Sequence, residues 1–163
     1  HASDRIFQRG QYDKTLAGMG TTATVLQLVD NYGYIGHVGD SRLYRLRHGE
    51  FTQLTTDHSW VSEQISAGMM TAEEADNHPY RNVITRSVGF EMDVQVDTDC
   101  FELENDDYFL ICSDGLYGKV AAREIARLVA EKGIASPRPL IQMANDNGGD
   151  DNITVIVVHV SME

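Results

Sequence analysis

Cysteine is scarce in this chain, too scarce for a disulfide framework of the kind that stabilises small secreted domains. Only Cys100 and Cys112 occur among its 163 residues. Cys112 lies inside the apolar run 109–112, which predicts a buried thiol. This cysteine usage favours a reducing compartment, and we expect a cytoplasmic protein.

Positive charge is also in short supply. The chain has 13 Lys and Arg against 25 Asp and Glu, and its formal net charge is −12. This balance argues against nucleic acid or an anionic membrane as the main partner, because both attract proteins through basic residues. Solubility accounts for most of these carboxylates. Some of them can still lie together and bind cations.

Long apolar runs are absent from the sequence. None reaches the roughly 20 residues that a membrane-spanning helix needs, and residues 1–9 do not read as a signal segment. They have the pattern of the tail of an amphipathic helix, and the chain does not begin with Met. We therefore expect a further segment upstream. Hydrophobic residues make up 42% of the chain, which is ordinary for a globular domain.

Short strand-like and helical segments alternate along the chain. Runs of β-branched and apolar residues between turn signals predict strands at 22–29, 34–38, 42–47, 51–54, 94–100, 108–112 and 153–160. Helical spacing and capping residues predict helices at 1–9, 57–68, 71–78 and 120–132 and after Pro137. The helix at 57–68 is expected to be capped by Asp57. This order predicts the α+β class, with helices on a sheet or on paired sheets.

Three aspartates lie at turns next to apolar runs: Asp40, Asp114 and Asp151. Carboxylates held at the ends of rigid strands are suitable ligands for hard divalent cations. Each of them alone is equally an ordinary turn residue. Asp150 also competes with Asp151 for the same role.

Motifs around these aspartates occur in the order of a known family. In chain order they are GMGTT at 18–22, VGDSRLY at 38–44, TDHS at 56–59, HPYRN at 78–82, CSDGL at 112–116 and DNITV at 151–155. With this set the chain resembles the metal-dependent protein serine/threonine phosphatases of the type 2C family, in particular their bacterial branch. The resemblance covers nearly the whole chain.

The resemblance implies a fold, a reaction and a set of metal ligands. The implied fold is an α–β–β–α sandwich of two mostly antiparallel sheets flanked by helices. Residues 1–163 would form a partial catalytic domain with a flap region at about 58–90. The implied reaction is hydrolysis of phosphoserine and phosphothreonine by metal-activated water. Asp114 and Asp151 would bind a pair of Mn²⁺ or Mg²⁺ ions, and Asp40, with Asp114, a third ion. Phosphoproteins would be the substrates, opposite a serine/threonine kinase, and a monomer is expected.

The chain departs from the family pattern in two places. The Asp-Gly-x-Gly-Gly turn and the phosphate-binding Arg of the family have no counterpart before Gly18. We therefore expect the N-terminal part of a family member to be missing and this chain alone to be inactive. Gly118 stands where many members carry another Asp, which weakens the third metal site. The alternative is a catalytically inactive phosphatase-fold binding or regulatory module without the full metal set.

Two histidines, two arginines and a tryptophan complete the set of candidates. His58 and His78 are expected to be loop or helix-start residues that each make one hydrogen bond. Arg81 and Arg86 are each expected either to meet a phosphoprotein at the flap or to form an ion pair with a local carboxylate. Trp60 is expected to pack rather than to bind substrate.

Overall fold

The computed structural model describes residues 1–162, which form strands and helices in mixed order. The strands are β1 (Ala23–Val29), β2 (Tyr32–Val38), β3 (Arg42–Arg47), β4 (Glu50–Gln53), β5 (Asp97–Glu102), β6 (Tyr108–Cys112) and β7 (Val155–His159). The helices are α1 (Ala2–Tyr12), α2 (Trp60–Ser66), α3 (Ala72–Asp76), α4 (Asp114–Tyr117), α5 (Ala122–Lys132) and α6 (Pro137–Asp146). The predicted α+β class is confirmed. No helix within residues 1–162 has the length and apolarity that crossing a membrane requires.

The strands form two sheets. One has three strands in the order β1-β2-β5, and the other has four in the order β4-β3-β6-β7. All neighbouring strands of the four-stranded sheet are antiparallel. Cys112, the last residue of β6, lies opposite Val155, the first residue of β7. The loop that leaves β6 and the loop that enters β7 therefore meet at one end of this sheet.

The chain divides into two compact units. The first contains residues 1–26, 35–40 and 56–99, and the second contains 27–34, 41–55 and the residues from 100 onward. Helices α1 to α3 belong to the first unit. The four-stranded sheet and helices α4 to α6 belong to the second.

The core of the second unit lies between its sheet and its helices. Leu110 and Cys112 are two residues apart on β6, so they face the same side of the sheet. Ile125, Leu128 and Val129 recur at helical spacing on α5, and none of the five is more than 5% exposed. This packing supports β6 up to its last residue.

The first unit ties α1 to a later loop through a buried serine. The Ser3 hydroxyl donates to the carbonyl oxygen of Glu91 at 2.6 Å and accepts from the Gly89 amide at 2.9 Å. Helix α2 begins after Ser59, whose hydroxyl accepts from the Ser62 amide. The predicted cap at Asp57 is therefore wrong by two residues.

Helix α4 and strand β5 are among the elements that differ from the sequence prediction. Helix α4 was not expected, because a helix of four residues has no periodicity to detect. Strand β5 begins three residues later than predicted and ends two residues later. The Leu103 amide donates to the carbonyl oxygen of Asn31 at 2.8 Å, so backbone hydrogen bonding continues to the end of β5.

Candidate metal centre

Ser113 fastens two acidic loops together at the end of the four-stranded sheet. Its hydroxyl accepts from the Thr154 amide at 3.0 Å and donates to the Asn152 carbonyl oxygen at 3.1 Å. Its own amide donates to the carbonyl oxygen of Thr154 at 3.2 Å. Asp114 follows this serine directly as the first residue of α4. The loop that carries Asp114 is thus held to the loop that carries Asp151.

Gly115 allows the two loops to approach this closely. A Cβ atom at this position would overlap the backbone carbonyl group of Asn152. Gly115 is buried, although the aspartates on either side of the contact, Asp114 and Asp151, are exposed. The backbones that carry these two carboxylates are therefore neighbours in the structure.

Each of the two carboxylates is oriented by the amide that follows it. Asp114 Oδ1 accepts from the Gly115 amide at 2.9 Å, and Asp151 Oδ1 accepts from the Asn152 amide at 2.7 Å. The second oxygen of each carboxylate has no further hydrogen bond to residues 1–162. A donor set made of carboxylate oxygens fits Mg²⁺ or Mn²⁺.

Asp150, the other candidate ligand at this turn, forms an ion pair within the protein. Lys119 Nζ contacts its carboxylate in an ion pair. The Lys119 carbonyl oxygen in turn accepts from Asn147 Nδ2 at 2.8 Å. This leaves Asp151 as the better candidate ligand of the two.

Asp40 belongs to the first unit, where it follows β2. The preceding Gly39 has φ of +112°, a left-handed conformation that favours glycine. A Cβ atom at Gly39 would overlap the side chain of Thr22. The Gly39 amide donates to His58 Nδ1 at 3.0 Å, and the His58 amide donates to the Gly39 carbonyl oxygen at 2.8 Å. These contacts fix the direction in which the chain enters Asp40.

His58 is more deeply integrated than the sequence indicates. The prediction of a single hydrogen bond is wrong, because the residue is 5% exposed and both of its ring nitrogens are engaged. Its Nε2 lies 2.9 Å from Asp97 Oδ2, and Arg86 donates to Asp97 Oδ1 at 2.6 Å. The ion pair that was one alternative for Arg86 is therefore observed. No sequence spacing signals this group, whose members are 28 and 11 residues apart.

The electrostatics of this group follow from these contacts. The hydrogen bond from His58, followed by that from Arg86, holds the pKa of Asp97 below its usual value of 3.8. The ring of His37 lies 4.8 Å from that of His58. Burial, followed by the neighbouring His58, lowers the pKa of His37 below 6.5. The imidazole of His37 is therefore mostly neutral at neutral pH.

The described part of the chain does not gather the predicted metal ligands into one group. Within residues 1–162, no three His, Cys, Asp or Glu side chains are grouped so that they could hold a metal ion. Asp114 and Asp151 lie on fastened loops of the second unit, and Asp40 lies in the first unit. Their assignment as metal ligands stays a prediction.

The comparisons with known proteins place the chain in a family. Residues 2–64 match the family model described as Protein phosphatase 2C. Protein phosphatase PhpP of Streptococcus pneumoniae is 42% identical over 163 residues, which is 99% of this chain and 66% of PhpP. The crystal structure of the Mycobacterium tuberculosis serine/threonine phosphatase PstP/Ppp has a TM-score of 0.92 and 35% identity. That match covers 98% of this chain and 68% of PstP/Ppp. The chain belongs to the protein phosphatase 2C family.

A second PstP structure bears on the metal. The catalytic domain of PstP in complex with two manganese ions has a TM-score of 0.89 and 34% identity, over 98% of this chain and 67% of that one. The chain spans 66% of the length of PhpP, just under two thirds. It is thus similar to the larger part, but not the whole, of these relatives.

Proposed function

We propose that this chain is part of a metal-dependent protein serine/threonine phosphatase that hydrolyses phosphoserine and phosphothreonine. The observation that carries the proposal is the fastening of the Asp114 and Asp151 loops by Ser113 and Gly115. Two relatives, PhpP and PstP/Ppp, are named as phosphatases, the second as a serine/threonine phosphatase. The proposed catalytic domain includes a flap region at about 58–90.

The proposed ligands of a Mn²⁺ or Mg²⁺ pair are Asp114 and Asp151. Two carboxylates about 4 Å apart repel each other by roughly 4 kcal/mol at the effective dielectric of a protein surface, so such a pair favours cations. The ions supply activation of water and neutralisation of charge on phosphoryl oxygens. The contribution of the protein is to present the two carboxylates from loops with a fixed backbone. Asp40, which lies in the first unit, is the proposed ligand of a third ion.

Phosphoproteins are the proposed substrates, opposite a serine/threonine kinase. The net charge of −12 supports a protein partner rather than nucleic acid. Neither cysteine forms a disulfide, and Cys112 is buried, which supports a reducing, cytoplasmic location. A monomer is proposed as the oligomeric state.

The test is a phosphatase assay on a chimera. The part of PhpP that precedes its match is fused before His1, and turnover of a phosphothreonine peptide is measured with Mn²⁺ and with a chelator. We expect Mn²⁺-dependent turnover that falls at least 100-fold in Asp114→Asn and Asp151→Asn, because each removes a proposed metal ligand. Asp150→Asn is the matched control and should retain most activity. The 163-residue chain alone should show little or no turnover.

Three outcomes would contradict the proposal. Turnover that survives the chelator would exclude the metal role, and turnover that survives Asp114→Asn would exclude the assigned ligand. An inactive chimera that still binds phosphopeptide would favour the alternative, a phosphatase-fold binding or regulatory module.

A further inference from the structure

His58 stands between two groups of residues in the first unit. On one side, its Nδ1 accepts from the Gly39 amide at 3.0 Å, and its own amide donates to the Gly39 carbonyl oxygen at 2.8 Å. On the other side, its Nε2 meets Asp97 at 2.9 Å. The ring therefore connects the backbone immediately before Asp40 to the carboxylate of Asp97.

The hydrogen bonds determine the tautomer of His58. A backbone amide can only donate, so Nδ1 has to be the acceptor and the neutral ring carries its hydrogen on Nε2. That hydrogen points to Asp97, which can only accept when ionised. Arg86 Nη1 lies 2.9 Å from Nε2 and 2.6 Å from Asp97 Oδ1. Since both nitrogens are donors, Asp97 is the acceptor that holds them together.

Asp97, unlike His58, is accessible to solvent. His58, Arg86 and Asp97 line an open pocket of about 430 Å³ beside α2. The side chain of Asp97 is 45% exposed, whereas that of His58 is 6% exposed. A buried imidazole thus lies between an accessible carboxylate and the backbone of Gly39.

The conformation of Gly39 depends on its contacts, because glycine by itself permits a wide range of φ and ψ. Its φ of +112° and its close approach to Thr22 restrict the residue to glycine. Removing a group that orients a metal ligand commonly lowers the affinity for the metal by roughly 10–100-fold.

We propose that His58 is a positioning residue for Asp40: its Nδ1 fixes the Gly39 peptide, and Asp97 and Arg86 keep Nδ1 available as an acceptor. The inference rests on the proposed function, in which Asp40 is a metal ligand. His58 itself does not touch the metal in this arrangement. Its effect passes through the backbone that precedes Asp40.

Two substitutions separate the two nitrogens of the ring. The Oδ1 of asparagine is as far along the side chain as Nδ1, so His58→Asn retains an acceptor for the Gly39 amide. The Nε2 of glutamine is as far along as the ring Nε2, so His58→Gln retains a donor to Asp97 and loses that acceptor. His78→Gln is the matched control, because His78 accepts from the Tyr80 amide and stacks on Trp60.

The experiment is a Mn²⁺ titration of the 163-residue chain, with unbound Mn²⁺ measured by electron paramagnetic resonance. The loss of Mn²⁺ binding in Asp40→Asn defines the binding that depends on Asp40. We expect His58→Gln to weaken this binding by about 10-fold. His58→Asn should weaken it less than 3-fold, and His78→Gln should leave it unchanged. In the Asp40→Asn background, His58→Gln should have no further effect.

Several outcomes would contradict the inference, and they can be told apart. If His58→Gln acts equally with and without Asp40, or if His58→Asn acts as strongly as His58→Gln, the role of His58 is merely structural. Thermal unfolding without Mn²⁺ identifies a variant that fails to fold. If Asp114→Asn lowers Mn²⁺ binding and Asp40→Asn does not, the inference fails while the proposed metal pair stands. If neither does, the proposed metal centre fails as well.

Discussion

At the scale of single residues, the candidate metal centre depends on small groups that the acidic motifs do not reveal. Ser113 and Gly115 flank Asp114 and make the contacts to Asn152 that bring the loop of Asp151 close. Among the residues that the structure describes, the carboxylates of Asp114 and Asp151 make hydrogen bonds only to the amides that follow them. Their neighbours therefore determine where they lie.

Gly115→Ala should destabilise the chain by about 1–3 kcal/mol, because the new methyl group would overlap a backbone carbonyl that cannot move like a flexible side chain. Urea unfolding measures the change. Gly36→Ala is the control, since the nearest atom to a Cβ there is Val96 Cγ1 at 3.9 Å, and its effect should stay within about 0.5 kcal/mol. Equal midpoints for both variants would show that the loops do not need this contact.

The same scale shows how much of the candidate site the sequence could predict. The family resemblance implies that Asp114 and Asp151 bind one metal pair; this role stays a prediction, and the structure holds their two loops together. The group of His58, Arg86 and Asp97 could not be predicted, because its members come from separate turns and strand ends. Hydrogen bonds between distant residues leave no periodic pattern in a sequence.

At the scale of elements, the sequence predicts those that carry an apolar pattern or capping residues, and it misses a single turn that carries neither. Helix α5 and strands β3 and β6 lie close to their predicted positions because their side chains build one core. Helix α4 is a single turn that begins at a metal-ligand candidate, and no pattern predicted it. The extent of β5 depends on backbone hydrogen bonds to distant residues such as Asn31, which the local sequence does not contain.

Helix α3 offers a test of a short element, because it is held by a complete capping box. Thr71 Oγ1 accepts from the Glu74 amide at 3.3 Å, and Glu74 Oε2 accepts from the Thr71 amide at 2.9 Å. Thr71→Ala should raise amide hydrogen exchange of residues 72–76 several-fold, since a cap of this kind stabilises helix ends. Thr98→Ala, an exposed threonine in β5, is the control. Unchanged exchange in α3 would show that packing, not capping, holds it.

At the scale of the whole molecule, groups whose pKa values are shifted in the folded chain determine how stability depends on pH. Burial, then the neighbouring His58, lowers the pKa of His37 below 6.5, so the unfolded chain takes up this proton at higher pH than the folded one. The free energy of unfolding should therefore be unaffected by His37 above pH 6.5 and fall as the pH drops below it. Below pH 3.8 the free energy of unfolding should fall further, because the pKa of Asp97 is lower than this usual value in the folded chain.

His37→Gln should flatten this dependence just below pH 6.5, because it removes the group that binds the proton. Urea unfolding at pH 7.5, 6.5 and 5.5 provides the measurement. The control is His48→Gln, since the side chain of His48 is 78% exposed. A slope that persists in His37→Gln would assign the effect to another group.

The two cysteines differ in a way that gives the unmodified chain a chemical reporter. Cys100 is exposed, whereas Cys112 is 2% exposed and lies on β6 two residues before Asp114. A thiol reagent should react with Cys100 immediately and with Cys112 only when the core between the four-stranded sheet and its helices opens. The second phase of labelling would thus time the opening of the core beside the strand end that leads to Asp114.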